Sequence, residues 1–220
     1  SDTKGMHTYF QNNSSLQNLK IDNPLIKSGV VVAYDYINND VFITFHQQDN
    51  SFTLSYNENK QNFISFYDYI PSMYMSKGDN FITTSPGLTE IWKQYDGEYN
   101  SFYGEYFPSY IIFNVNPEPN LDCVFDNINF KSDVTLNNID QPEITLTGIQ
   151  AYNDYQDSTL VPLVVGRNNN LRRKFRDWNI LIPRENRNRI RAPYIKLKLQ
   201  FQNENNYKLI FYSPSIYYTI

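Results

Sequence analysis

The sequence predicts an all-β protein: an antiparallel, propeller-like meander over residues 29–118, followed by a β-sandwich over residues 119–220. Three observations predict it. Aromatic residues make up 16% of the chain, dominated by 19 Tyr and 15 Phe, which suit pleated, half-buried surfaces better than helices. Ala, the best helix former, is scarce, whereas Asn occurs 29 times against 8 Gly. Asn tolerates left-handed turns and bonds its own backbone, so it supplies the turns an all-β chain needs. Finally, short runs of β-branched and aromatic residues recur between turn signals, as in meanders and sandwiches. A chain of 220 residues holds one large β domain or two small ones.

Residues 1–28 are polar and rich in Asn and Ser, and read as a linker or edge segment. GVVVAYDYI (29–37) and VFITFHQQ (41–48) flank Asn38-Asn39-Asp40 and form a hairpin. Asp49-Asn50 makes the next turn, before SFTLSYN (51–57) and FISFYDYI (63–70), which Pro71 stops. Residues 72–85 read as a hairpin around Lys77-Gly78-Asp79-Asn80. EIWKQYD (90–96) is a short strand, SFYGEYFPS (101–109) comes next, and YIIFNVNP (110–117) ends at Pro117. Pro117 to Asn120 form a breaker and mark the boundary between the two domains. Beyond it, strands are expected in 121–134, 144–154, 160–165, 174–183, 193–202 and 207–220. In 195–201, Ile195, Leu197, Leu199 and Phe201 alternate with Lys196, Lys198 and Gln200, the pattern of a half-buried strand. In 174–182 neither alternating set is purely apolar, and the facing stays open.

Charge partitions sharply. Residues 1–119 carry a net -7, residues 120–166 a net -6 and residues 167–220 a net +9. The basic charge gathers in RNNNLRRKFRDWNILIPRENRNRIR (167–191), whose local charge is +7 in a chain of -4. A chain polarised in this way is suited to pairing head to tail with copies of itself. The single cysteine, Cys123, excludes an internal disulfide and a cysteine-based zinc cluster, and its apolar setting LDCVF reads as core. No stretch approaches the ~18 apolar residues of a membrane span, and no signal peptide is visible. The start at SDTKGM, without Met, is expected of a processed product or a fragment, and tag removal leaves a similar start.

The arginine stretch has three readings: a grip on nucleic acid phosphates, docking to an acidic surface of a neighbouring subunit, or a solvated salt-bridged face. Docking ranks first, carried by Arg172, Arg173, Arg176, Arg184, Arg187, Arg189 and Arg191. Phe175, Trp178, Ile180, Leu181 and Ile182 are expected to anchor the stretch in one buried strand, with most arginines in flanking loops. Trp92, Tyr95 and Tyr99 form an alternative, the sugar-stacking surface of a receptor- or glycan-binding module, against the plainer reading of core and interface aromatics. Asp35 and Asp68, in the similar settings AYDY and FYDY, are a candidate carboxylate pair for a polysaccharide depolymerase. The plainer reading gives such aspartates turn caps. His7 and His46 lack any ligand pattern, and Asp126 to Asn129 and Asn168 to Asn170 lack the full calcium-loop pattern. No phosphate loop, zinc-protease motif or nucleophile elbow occurs, so neither a cofactor nor an enzymatic activity is expected.

Several segments, taken in order, resemble one family. They are 29–45, 52–75, SFYGEYFPSYIIFNVNP (101–117), VFDNINF (124–130), IQAYNDYQDS (149–158), KFRDWNILIPRENRNRIR (174–191) and NNYKLIFYSPSIYY (205–218). Together they look like the C-terminal part of the tail muzzle (nozzle), or "stabilization", proteins of crAss-like podoviruses. The resemblance implies a virion structural subunit in a ring at the distal end of a short tail, made in the bacterial host cytoplasm. It implies propeller-like and sandwich domains that help close the tail and retain DNA until ejection. The implied partners are copies of itself, other tail proteins and packaged DNA. It offers no catalytic residues.

Overall fold

Among the described residues, strand pairing begins at Gly29, where seven residues of one strand face seven of the next. The computed structural model of the chain describes residues 29–47 and 51–220; the 1–28 segment, His7 and the Asp49-Asn50 turn lie outside them. Among the described residues there is no helix, and the strand ladders are antiparallel. Contacts divide the chain into two compact units, one ending at Gly97 and including Ser101–Glu105, the other comprising Glu98–Asn100 and Tyr106–Ile220.

In the first unit, β1 (Gly29–Asp35), β2 (Asp40–His46), β3 (Phe52–Asn57) and β4 (Asn62–Tyr67) form a four-stranded meander in sequence order. β5 (Met73–Lys77), β6 (Asn80–Thr84) and β7 (Trp92–Lys93) form a second sheet, also in order. The expected hairpin at 77–80 is present, with Gly78 in the left-handed region (φ 55), where a Cβ would be strained. The expected strand at 90–96 shrinks to two residues. One face of the meander buries Phe42 against Tyr69 and Phe81, and Phe102 stacks on Tyr69 at 4.6 Å. The hydroxyls on that face are satisfied: Thr44 Oγ1 lies 2.8 Å from Thr53 Oγ1 and 2.6 Å from the Tyr74 hydroxyl, and Thr53 donates to the Tyr69 carbonyl at 2.9 Å. Phe45, Phe52 and Leu54 form a separate buried cluster. His46 is buried, its Nε2 2.7 Å from the Pro71 carbonyl. Further along the chain, β8 (Ser101–Phe102) and β9 (Glu105–Tyr106) pair as a minimal hairpin.

The second unit begins before the expected boundary. β10 (Ser109–Val115) pairs along its length with β18 (Ile195–Phe201), so Pro117 to Asn120 lie inside this unit rather than between domains. β18 continues to β13 (Gly148–Tyr152) and β14 (Val161–Pro162), giving the order β10-β18-β13-β14. The other sheet is built on β11 (Cys123–Leu136), which pairs with β12 (Ile139–Asp140), β16 (Asp177–Leu181), β17 (Arg191–Ala192), β19 (Lys208–Phe211) and β20 (Ser215–Thr219). β15 (Leu171–Lys174) adds to β16. Side chains of both sheets share one core: Ile195, Leu197 and Leu199 from β18, Ile149 and Ala151 from β13, Cys123, Ile128 and Phe130 from β11, and Trp178 and Ile180 from β16. The alternation read in 195–201 is therefore the observed one. Among the described residues, six of the twelve positive-φ residues other than glycine are asparagines (Asn39, Asn100, Asn137, Asn138, Asn186, Asn206), so Asn does supply left-handed turn positions.

Two measurements test this packing. Ile128 is fully buried on the central strand, so Ile128→Ala should destabilise the second unit by about 2–5 kcal/mol, read by urea denaturation. In the first unit, burial raises Tyr69 and Tyr74 well above the ordinary phenol value of 10.0 and pushes Tyr103 up to about 12. A phenol with a raised folded-state pKa stabilises fully below its unfolded value, and that stability is lost as pH rises. Stability of the first unit should therefore fall from pH 10 toward pH 12. Near-ultraviolet circular dichroism would read the loss, and a flat profile over that window would contradict it.

Candidate functional site: the arginine-rich hairpins

The basic stretch does not run as one strand from 174 to 183. The chain reverses at Phe175-Arg176, so that Leu171 faces Ile180, Arg173 faces Trp178 and Lys174 faces Asp177. The reversal resolves the mixed alternation. Leu171, Trp178 and Ile180 point into the core, while Arg172, Lys174 and Asp177 point outward. Phe175, expected to anchor the strand, instead occupies the two-residue tip, 86% exposed and at φ 59. Beyond β16, Ile182 returns to the core and the chain turns again at Asn186 (φ 47) and Arg187 (φ 75), closed by Glu185 and Asn188. The two turns lie at opposite ends of β16, roughly 15 Å apart at strand rise.

The seven candidate arginines accordingly occupy different settings. Arg176 sits at the first tip, Arg184, Arg187, Arg189 and Arg191 lie beyond the other end of β16, and Arg172 and Arg173 lie on β15. Arg173 is the partly buried one: its guanidinium lies 5.4 Å from the Trp178 ring centroid and donates to Glu143 at 2.5 Å. Arg189 donates to Asp126 at 2.9 Å, and Arg191 lies 3.8 Å from Asp122. All three acids come from the acidic 120–166 segment. Among the described residues, Arg172, Arg176, Arg184 and Arg187 make no ion pair within 4.0 Å. A recess beside the first tip is lined by Arg173 and Arg176 but also by Asp133 and Asp140, so its charges balance and it is not an anion hole.

The outward face of this sheet carries a polar ladder. Arg172 is opposite Asn179, Asn179 opposite Asn129, and Asn129 opposite Ser215. Asn179 donates to both Asn129 and Asn127. The residues of 126–129 that resemble part of an oxygen-ligand loop are thus engaged in amide and ion-pair contacts. Asn170 likewise holds its own loop, accepting from Val164 N and donating to the Pro162 carbonyl. Among the described residues no group of three or more His, Cys, Asp or Glu is placed to hold a metal.

The other candidates are dispersed. Trp92 sets its ring edge-on to Tyr103, 5.8 Å between centroids. Tyr95 packs on Phe81 and donates to Asp35 at 2.7 Å. Tyr99 belongs to the second unit, where its backbone N–H donates to Asn206. Asp35 is buried and caps the β1–β2 turn, accepting from Ile37 N and Asn38 Nδ2, both at 2.9 Å. Asp68 is exposed on another segment. The structure shows no interaction that joins the two carboxylates.

Residues 1–87 match the family described as crassvirus muzzle protein, and residues 97–185 match the crassvirus muzzle protein C-terminal domain. A muzzle protein of Bacteroides phage crAss001 is 33% identical over 192 residues, 84% of this chain. This chain belongs to the crassvirus muzzle protein family. The matched stretch is 13% of that relative's own length, so the chain spans a small part of it. The C-terminal muzzle match begins at residue 97, where contacts also part the two units.

Within this muzzle-family chain, the sequence offered no sign of which arginines would be engaged internally, because their partners lie 30 to 69 positions away. Arg189 and Asp126 are both partly solvated, so a double-mutant cycle with Asp126→Ala and Arg189→Ala should give a coupling of only about 0.2–1 kcal/mol. The coupling should shrink further at high salt.

Proposed function

We propose that this chain is a non-enzymatic structural part of the muzzle of a short-tailed phage, at the distal end of the virion tail. There it assembles with copies of itself in a ring and with other tail proteins, and helps close the tail and retain DNA until ejection. Family membership supports the structural role. The first unit's sequential meander is compatible with a propeller-like blade, and the shared core of the two sheets in the second unit supports a sandwich.

The observation that carries the assembly reading is the set of exposed arginines left over on β15 and at the two ends of β16. Residues 120–220 retain a net +3 after the -6 and +9 segments are combined, against -7 for residues 1–119. Arg172, Arg176, Arg184 and Arg187 are charged, exposed and without an ion pair among the described residues. An acidic protein surface is the complementary partner.

Arg176→Glu combined with Arg184→Glu tests this. Self-association, read by sedimentation and electron microscopy, should weaken by about tenfold or more. Stability should stay within roughly 0.5 kcal/mol of the parent, because both sites are at the surface. Unchanged assembly would remove the contact role. Duplex binding that falls steeply with salt and is lost in the variant would instead assign the arginines to DNA.

A further inference from the structure

We propose that Phe175 is the anchor of the self-association surface, and that it docks on the exposed segment Gly87–Ile91 of a second copy of this chain. The inference rests on the self-association reading and names the two surfaces that meet. Phe175 carries two costs that the chain itself does not offset. Its ring is 86% exposed, and its φ of 59 places a bulky side chain in the left-handed region, a conformation that is strained in a residue with a Cβ. Glycine would serve the same two-residue turn without strain. Burial of the ring against a partner supplies what folding does not.

The surroundings of the ring state the partner's chemistry. Lys174 and Arg176 flank it directly, and Arg172 projects from the same outward face of β15; none of the three has an ion pair among the described residues, and the one acid at this tip, Asp177 opposite Lys174, lies 3.8 Å from Lys131. An apolar knob in a basic collar fits an apolar strip that carries a carboxylate. Residues 87–91, GLTEI, form such a strip in the first unit. All five are exposed, Leu88 by 44% and Ile91 by 65%, and Glu90 between them has no ion pair among the described residues. Leu88 and Ile91 receive the ring while Glu90 meets Arg176 and Lys174. Because knob and strip are different surfaces, the contact is head to tail, the type that closes into rings or continues as filaments.

A photoreactive benzoyl-phenylalanine in place of Phe175 tests the contact in the 220-residue chain. Crosslinks between copies should map to residues 87–91. Crosslinks between copies that map elsewhere overturn this proposal and leave self-association standing. A wild-type chain that sediments as a monomer at all concentrations overturns both. Crosslinking to the lipids of anionic phosphatidylserine vesicles in place of a second copy overturns it and assigns the tip to a membrane surface. Phe175→Gly separates docking from folding: the melting temperature should hold or rise as the turn relaxes, while self-association weakens by about tenfold or more. Undiminished association of this variant overturns the proposal. Arg176→Glu and Glu90→Arg should each weaken association, and their combination in one chain should restore it to within about threefold of wild type. Failure of the combined variant to recover overturns the pairing of Glu90 with Arg176.

Discussion

The second unit depends on the pairing capacity of one strand. β11 runs for fourteen residues and holds five other strands along its two edges. Its N-terminal half seats β16, β17 and β20, and its C-terminal half seats β12 and β19. A strict period-2 alternation over such a length would keep one parity of side chains inward throughout. The strand departs from it. Cys123 and Phe125 are buried on odd positions, then Ile128, Phe130 and Val134 on even ones. The switch occurs at the register shift between Phe125 and Asn127, where Asp126 is the extra residue of a β-bulge. The bulge lets two stretches of β11 of opposite parity serve one core, and it re-aims Asp126. The Asp126 carbonyl accepts from Ile182 N at 3.0 Å, and its carboxylate meets Arg189.

That bulge also governs how the charge is disposed. At the level of the sequence, residues 120–166 are acidic and 167–220 basic. In the folded unit the two segments interleave, because β16 and β17 lie against the same strand that carries Asp126, with Asp122 just before it. The ion pairs this creates are solvated and individually weak. They engage Arg189 and Arg191 beyond β16, while Arg184 and Arg187 in the same stretch, and Arg176 at the tip before it, keep no ion pair among the described residues. The strand order, more than the composition, decides which arginines remain available to a partner.

The parts of the fold set by local rules were legible. The all-β class came from aromatic and Asn content, the 77–80 hairpin from Lys-Gly-Asp-Asn, and the facing of 195–201 from clean alternation. The misread parts were those in which a distant partner decides. Pro117 and Pro119 looked like a boundary, yet β10 precedes them and is held by β18, some eighty residues on. The run 174–183 looked like a strand because Phe, Trp and Ile favour strands. Its reversal is fixed by the need to bring Leu171 and Ile180 to one face. Asp35 was half legible: its side chain bonds the turn backbone, as aspartates do locally, but its bond to Tyr95 spans sixty positions.

Two hairpins of the second unit turn in two residues, with different side chains and different backbone geometry. Between β11 and β12 the two-residue loop is Asn137-Asn138, both in the left-handed region, a conformation that asparagine adopts readily. Between β15 and β16 the register is equally restrictive, since Lys174 and Asp177 are paired and leave only two residues to turn. There the first turn residue is phenylalanine, at φ 59. The core gains nothing from that choice, because the residues that fill it, Leu171, Trp178 and Ile180, are set by the strands on either side. The loop length is therefore a requirement of folding, whereas the side chain it displays is free of that requirement. A strained aromatic ring in solvent, beside unpaired cations, has its physical justification outside this chain's own interior.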